Sequence, residues 1–450
     1  MNETRAADAT TTERMAAGGW RPLCRPRYNT AAVASIPCLV AACCVLACGA
    51  TGASAPDVAV APTDGQADSA DEVGRHADSD GTSAPGDAAG IDPFADSDQF
   101  WVDGGIAFAR ADGGASLVSF EVPSGATSVV ITLDGPAAAL LTLAELSGPD
   151  GRIVVPKTWL AESGWPYRCS TPCPNRIAAA PGSAAFLVPN TPWMVVGGGH
   201  WTMKPYIFSA ADTKVPLAID ASATVGIHAM RRPDLATRMG QIDVNLCMSG
   251  ALGIDAGVAL QHTRIVAALA EVRTLLAVAR VDLGAVRAFD TPIPSMVLQH
   301  GLGADMEVGD ALAAVGVVPA GINVLFVQRI FAVTDAGAVP VLGVAGGVPG
   351  PVRAGGGRRS GVVIGLELTA GQPDVLGRTL AHELGHYLGL FHTTEAPPAS
   401  GPGAYDAIPD TQDGDANNLM HWSPTAGSGK LSPQQIDVLH GHPLVRTAAP

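Results

Sequence analysis

Three histidines and one glutamate carry the most specific chemistry in this chain. His382 and His386 are four residues apart. On a helix they fall one turn apart on one face, the spacing at which two imidazoles can hold a single metal ion. Glu383 lies beside them, placed to accept a proton from an attacking water. Gly389 lets the chain leave the helix without a Cβ penalty, and His392, three residues on, could swing back as a third ligand. Three neutral imidazoles leave one position of a tetrahedral zinc ion open, as a catalytic site requires, whereas closed structural sites use four protein ligands. One catalytic Zn2+ is therefore the expected cofactor.

These side chains need a rigid carrier. Residues 374–388 read as a helix in which Leu376, Leu380, Leu384 and Leu388 form an i, i+4 stripe suited to packing on a sheet, with His382 and His386 on roughly the opposite side. Upstream, residues 241–248, 281–289, 323–331, 341–344 and 361–366 read as strands. They alternate with helices at 258–279, where Ile265, Leu269, Val272 and Leu276 recur at three- and four-residue steps, and at 309–315. Pro340 fits an edge position, and 341–344 is the expected edge for aligning an extended substrate. Downstream, Ser432, Pro433 and Gln435 form a capping box, with Leu431 and Ile436 as its staple. His440 and His442 fall near that helix's end, where the dipole favours their protonated form, and are not counted as ligands.

Residues 99–220 have a different rhythm. Short strand-like runs at 117–122, 128–133, 139–146, 152–155, 186–188, 193–196 and 206–208 are broken by Gly, Pro, Asp and Ser. They predict a small β-sandwich or jelly roll. Trp165, Trp193, Trp201 and His200 there could line a binding surface, although core and loop packing is the favoured reading.

The string His382-Glu383-Leu384-Gly385-His386-Tyr387-Leu388-Gly389-Leu390-Phe391-His392 resembles the metzincin consensus at every fixed position. Asn418-Leu419-Met420-His421-Trp422 is similar to the Met-turn of that clan, which implies that Met420 packs beneath the histidines without binding metal. Gly-Gly-Val-Pro at 346–349, Ser-Gly-Val-Val-Ile at 360–364 and Asp410-Thr411 are most similar to its pappalysin-like branch. The resemblance covers roughly residues 237–442 and implies that an α/β (α+β) metzincin-like zincin domain follows the N-terminal β-sandwich (jelly-roll-like) domain. It further implies a zinc-dependent metalloendopeptidase acting on protein or peptide substrates, with Glu383 as general base.

One position departs from the pattern. Many metzincins carry Tyr two residues after the Met, where this chain has Trp422. The oxyanion role is thereby open, with His421 as a candidate donor. Glu395 could orient a ligand or simply face solvent, and Asp410, Asp413, Asp415 and Asn417 read equally as a calcium loop or a solvated acidic loop. The alternative function is a catalytically silent cell-surface binding lipoprotein with a structural zinc site. An intact Glu383 argues against it, since a silent site needs no base.

At 450 residues, 47% apolar and 15% charged, the chain can bury two or three cores. Its net charge is −15, with eleven acids against one base, Arg75, between Asp57 and Asp98. No basic footprint for nucleic acid is present. Arg21, Arg25 and Arg27 precede an uncharged apolar run, followed by small residues and cysteine, which reads as an export signal. Val45-Leu46-Ala47-Cys48 resembles a bacterial lipoprotein box, with Val40-Ala41-Ala42-Cys43 as the other possibility. The implied product is an exported lipoprotein anchored by lipid to a bacterial membrane, the alternative being a secreted protein. The expected divisions are a signal peptide at 1–48, a disordered acidic linker at 49–98, the β-sandwich at 99–225 and the metalloprotease domain at 237–446. In an oxidising compartment Cys169 could pair with Cys173, leaving Cys247 as a buried thiol in its apolar run.

Overall fold

Runs of β-branched and large apolar residues, punctuated by turn residues, form the strands of the N-terminal half. They are β1 (Gln99–Phe108), β2 (Val118–Val122), β3 (Ser128–Asp134), β4 (Ala139–Ser147), β5 (Ile153–Val155), β6 (Ala180–Pro181), β7 (Ser183–Val188), β8 (Gly199–Ser209) and β9 (Ser222–Met230). The computed structural model describes residues 99–448 except 109–114, 157–174, 192–193, 211–218, 232–238, 294–296, 301–306, 317–318, 335–336, 353–355, 394–405, 407, 413 and 424–428. The leader with Cys43 and Cys48, the acidic linker, Cys169, Cys173, Trp165, Trp193, Glu395 and Asp413 lie outside the described residues.

The strands build two antiparallel sheets, one ordered β1-β9-β3-β7 and the other β2-β8-β4-β5 with β6 alongside β4. Their period of two assigns side chains to faces. Val129, Ile131 and Leu133 of β3, with Phe186 and Val188 of β7, point into the core shared by the two sheets. The intervening Val130, Ala185 and Leu187 point the other way, into the core of the C-terminal half. Both faces of β3 and β7 are thus buried, which is why these strands are continuous apolar runs. β9 carries its sheet to Met230, beyond the expected edge at 225. Trp201 is buried and donates from Nε1 to Gly197 O at 2.8 Å, so it is a core residue, while His200 is exposed beside Glu121. Residues 194–196, part of the expected strand at 193–196, have no regular structure.

The C-terminal half alternates strands and helices: β10 (Gly240–Met248), α1 (Ala256–Ala259), α2 (Thr263–Ala277), β11 (Val281–Asp290), β12 (Val297–His300), α3 (Glu307–Ala314), β13 (Ile322–Val327), β14 (Arg329–Thr334), β15 (Gly337–Val341), β16 (Gly343–Ala345), β17 (Val362–Gly365), α4 (Pro373–Tyr387), α5 (Pro433–His440) and β18 (Arg446–Thr447). The main sheet runs β11-β10-β13-β17-β16, parallel except for the antiparallel edge strand β16, and β18 pairs with β10. A smaller sheet runs β12-β14-β15. Two expected strands are each divided at one residue, Gln328 or Leu342, because the chain there passes between the two sheets. An apolar run carries no sign of such a corner. The expected helix at 258–279 is also divided. Asp255 caps a short α1, and α2 restarts after His262 in an extended conformation.

The Leu376, Leu380, Leu384 and Leu388 stripe of α4 enters the main core. Arg378 ties the same helix to Glu271 of α2 at 3.7 Å and to its own Asp374 at 2.6 Å. From Leu376 to Tyr387 every residue is buried, so the face opposite the stripe is covered too. α5 begins with the expected capping box: Gln435 N donates to Ser432 Oγ at 3.1 Å and Ser432 N to Gln435 Oε1 at 2.9 Å. His440 and His442 are buried. Leu444 N donates to His442 Nδ1 while Nε2 faces Gly350 O, both at 3.3 Å. Cys247 is fully buried, and burial pushes its thiol up to about 12. Among the described residues no helix is long and apolar enough to cross a membrane.

Candidate metal centre

Two turns of α4 and the loop after it bring three imidazoles together. His382 and His386 project from the buried side of the helix opposite its Leu stripe, and Gly389, at φ 108°, turns the chain so that His392 returns toward them. One ligand nitrogen from each of the three lies within 4.8 Å of the others, and this group could hold a metal ion. Among the described residues it is the one such group of three or more His, Cys, Asp or Glu side chains.

Hydrogen bonds choose which nitrogens face inward. His382 Nδ1 lies 2.7 Å from Leu419 O and His386 Nδ1 lies 2.7 Å from Leu390 O. A carbonyl can only accept, so each Nδ1 carries the proton and each Nε2 keeps its lone pair for a metal. The Nε2 atoms of His382 and His392 are 3.2 Å apart. Two ligands of a tetrahedral ion at about 2.0–2.1 Å would be separated by about 3.3–3.4 Å, so the spacing of this pair suits two imidazoles on one metal ion. Burial first, then the neighbouring His392 and His382, holds His386 well below the usual histidine range. The imidazole therefore stays neutral, as a ligand must.

Glu383 is buried next to the cluster. Burial pushes its carboxyl up to about 8, opposed by a hydrogen bond from the Ala345 backbone. A metal cation beside it would favour the carboxylate instead. The edge strand β16 approaches this side chain so closely that a Cβ on Gly343 would stand 2.7 Å from Glu383 Cγ, so only glycine fits there. The strand against the site is therefore β16, whereas Pro340 lies in β15 of the smaller sheet.

Met420 is fully buried under α4, its Sδ 2.6 Å from where a Cβ on Gly385 would stand. The turn that carries it is built around Asn418. Asn418 Oδ1 accepts from Met420 N at 2.8 Å, and its Nδ2 donates to Gln435 Oε1 at 2.9 Å. Leu419 O is thereby fixed where it orients His382, and Met420 O accepts from Thr393 N at 3.0 Å.

Other expected site residues have local roles. His421 is half-buried, with Nδ1 near Ser423 O and N, and its ring 5.6 Å from that of Trp422. It is not one of the clustered nitrogens. Exposed Asp410 accepts from Gln434 N at 3.0 Å, adding negative charge at the start of α5. Asp415 accepts from Asn417 N at 2.9 Å.

Two residues beside the centre carry no local sequence signal. Asp406 is buried, donates from its amide to His392 O at 2.9 Å and accepts from Thr411 Oγ1. Burial pushes its carboxyl up to about 7. Arg176, from the N-terminal half, places Cζ 4.5 Å from the centroid of the Phe391 ring.

No protein-family model matches the sequence, and no curated protein matches it. Among solved structures the chain is similar to metalloproteinase-II from Bacteroides fragilis, at 15% identity over 46% of this chain and 60% of that one, with a TM-score of 0.25. It is also similar to Xylanase10C from Cellvibrio japonicus, at 10% identity over 41% and 38% with a TM-score of 0.18. A third similarity is to a family two carbohydrate esterase from Clostridium thermocellum, at 9% identity over 50% and 66% with a TM-score of 0.14. The chain thus spans under two thirds of each of these proteins, and scores this low do not fix its fold.

Proposed function

We propose that this chain is a zinc-dependent metalloendopeptidase of the metzincin type, closest to the pappalysin-like branch, with His382, His386 and His392 holding one zinc ion and Glu383 as general base. The observation that carries the reading is the convergence of three buried imidazoles beside a buried carboxyl, with the Nδ1 atoms of His382 and His386 committed to backbone carbonyls. Zinc in such a site lowers the pKa of water towards about 7 and polarises the scissile carbonyl.

The protein's own groups supply the rest. Glu383 takes the proton of the attacking water and passes it to the leaving amine. The Ala345 amide orients the Glu383 carboxylate through its hydrogen bond. β16, an antiparallel edge beside that carboxylate, is placed to align an extended peptide by main-chain hydrogen bonds. The Met420 turn fixes His382 through Leu419 O. In this reading the two sheets of residues 99–230 form a jelly-roll-like accessory domain and residues 237–446 the peptidase domain. Export follows from the leader at 1–48, with lipidation at Cys48 (or Cys43) and the 49–98 linker as a tether.

The test is zinc content and peptide-bond cleavage of the full chain, compared with Glu383→Gln. The variant should keep its zinc and lose about 10²–10⁴-fold in cleavage rate. Cleavage that survives the substitution removes Glu383 from its role. Zinc bound without cleavage by the native chain would favour a silent surface-binding protein, the reading that Trp422 after the Met-turn leaves standing. No zinc at all would end the peptidase proposal.

A further inference from the structure

Of the three clustered histidines, His392 is the one outside regular structure. His382 and His386 ride on α4, whose geometry fixes their spacing. His392 stands where the turn at 389–392 puts it, so whatever packs on that turn sets the third ligand's position. The two-sheet half packs on it at two points. Leu187, on the face of β7 that points away from its own core, has Cδ2 2.6 Å from where a Cβ on Gly389 would stand. Arg176 lays its guanidinium over the ring of Phe391, the neighbour of His392, with Cζ 4.5 Å from the centroid.

The Arg176 contact is held in place from behind. Its amide donates to Asn190 Oδ1 at 3.1 Å, its carbonyl accepts from Asn190 Nδ2, and Asn190 N donates to Asn175 Oδ1 at 3.3 Å. Both asparagines are buried. The same half also bonds to the chain after α5: Ser128 Oγ donates to Gly441 O at 2.6 Å, and Gln99 Nε2 to Pro443 O at 2.8 Å. A planar guanidinium stacked on an aromatic ring is a directional contact that a flexible ammonium does not reproduce.

We infer that Arg176 and Leu187 are positioning residues for the metal centre, and that the N-terminal half completes that centre by clamping the turn that carries His392. The inference rests on the proposed metallopeptidase site. It makes the two-sheet half part of the catalytic unit, with its contacts to the turn acting as an outer shell for the third ligand. Loss of an outer-shell partner typically costs about 10–100-fold in metal affinity.

Charge and position make opposite predictions for Arg176. Its positive charge adds to the effects that disfavour a cation on His386. As a charge alone it repels a metal ion, so removing it would tighten binding. As a clamp it holds His392, so removing it loosens binding.

The experiment measures zinc affinity of the full chain by competition with a chromophoric chelator, for the native protein, Arg176→Ala and Arg176→Lys. The visible spectrum of each protein loaded with Co(II) reports ligand geometry without turnover. The expected result is zinc binding about 10–100-fold weaker in Arg176→Ala with an altered Co(II) band. Arg176→Lys, which keeps the repelling charge but not the planar contact, should bind zinc no more tightly than Arg176→Ala. Equal or tighter zinc binding by Arg176→Ala, with an unchanged Co(II) band, overturns the inference and leaves the peptidase reading intact. A native chain that binds no zinc overturns both.

Discussion

Gly389→Ala should damage the protein in two separable ways, and Leu187 tells them apart. At φ 108° an L side chain is strained, at a cost of about 1–3 kcal/mol. The new Cβ would also stand 2.6 Å from Leu187 Cδ2, well inside the ~3.5–4.0 Å of a carbon–carbon contact. Leu187 is 1% exposed and has little room to move, so the overlap adds about 1–3 kcal/mol. The single variant should therefore lose about 2–6 kcal/mol of stability, the sum of those two costs. Leu187→Ala alone removes a buried side chain and should cost about 2–5 kcal/mol. In the double variant the overlap disappears while the backbone strain remains. The two changes should then fall short of additivity by about 1–3 kcal/mol. The assay is urea unfolding of the full chain and all three variants in excess chelator, so that metal linkage does not enter. Strict additivity would refute the packing of Leu187 on Gly389, and a Gly389→Ala variant within ~0.5 kcal/mol of the native protein would refute the strained turn as well.

Four further outcomes follow from the same contacts. Burial, with His442 for His228 and Arg359 for His300, lowers His228 and His300 to about 3 from an ordinary 6.5. The unfolded chain then binds more protons between those values, so each histidine's contribution is present above about pH 6.5 and lost as pH falls, at up to ~1.4 kcal/mol per unit. Glu383 and Asp406, raised to about 8 and about 7, act in the opposite direction as pH rises. The comparison is therefore native against His228→Gln by urea midpoint from pH 7 to 4, and superimposable slopes would remove His228 as a contributor. Zinc at a thousandfold over its dissociation constant should stabilise the fold by about 4 kcal/mol, and a melting temperature indifferent to chelator would deny that the folded state holds the ion. Asn418→Ala takes away the acceptor of Gln435 Nε2 and of Met420 N while Gln435 Oε1 keeps Ser432 N, an expected loss of about 1–3 kcal/mol for each orphaned donor in the same unfolding assay. Ser432→Ala should cost about 1 kcal/mol by removing the α5 cap, and no change would show that the capping box contributes nothing.

The features legible in the sequence are those set over one or two helical turns or by strand alternation. The four-residue step from His382 to His386 needs only a helix to put both on one face, and the Leu stripe supplied that helix. The capping box at Ser432 and Gln435 is likewise a matter of three neighbouring positions, and Cys247 lay in a run apolar enough to imply burial. What the tertiary structure decided depends on partners far away in the chain. Strand runs at 323–331 and 341–344 look continuous because apolar character is the same in both sheets, and only pairing shows the chain changing sheets at Gln328 and Leu342. Val130, Ala185 and Leu187 read as ordinary strand residues, yet they face a second core. Glu383 meets Gly343, inside the expected edge at 341–344, but only pairing shows that this edge is β16 of the main sheet while Pro340 belongs to β15 of the smaller one. Arg176 lies more than two hundred positions from His392 and has no periodic signal to mark it. A local pattern fixes directions within one element, whereas the placing of one element against another is set by which buried surfaces fit together, and that is written in no short stretch of the chain.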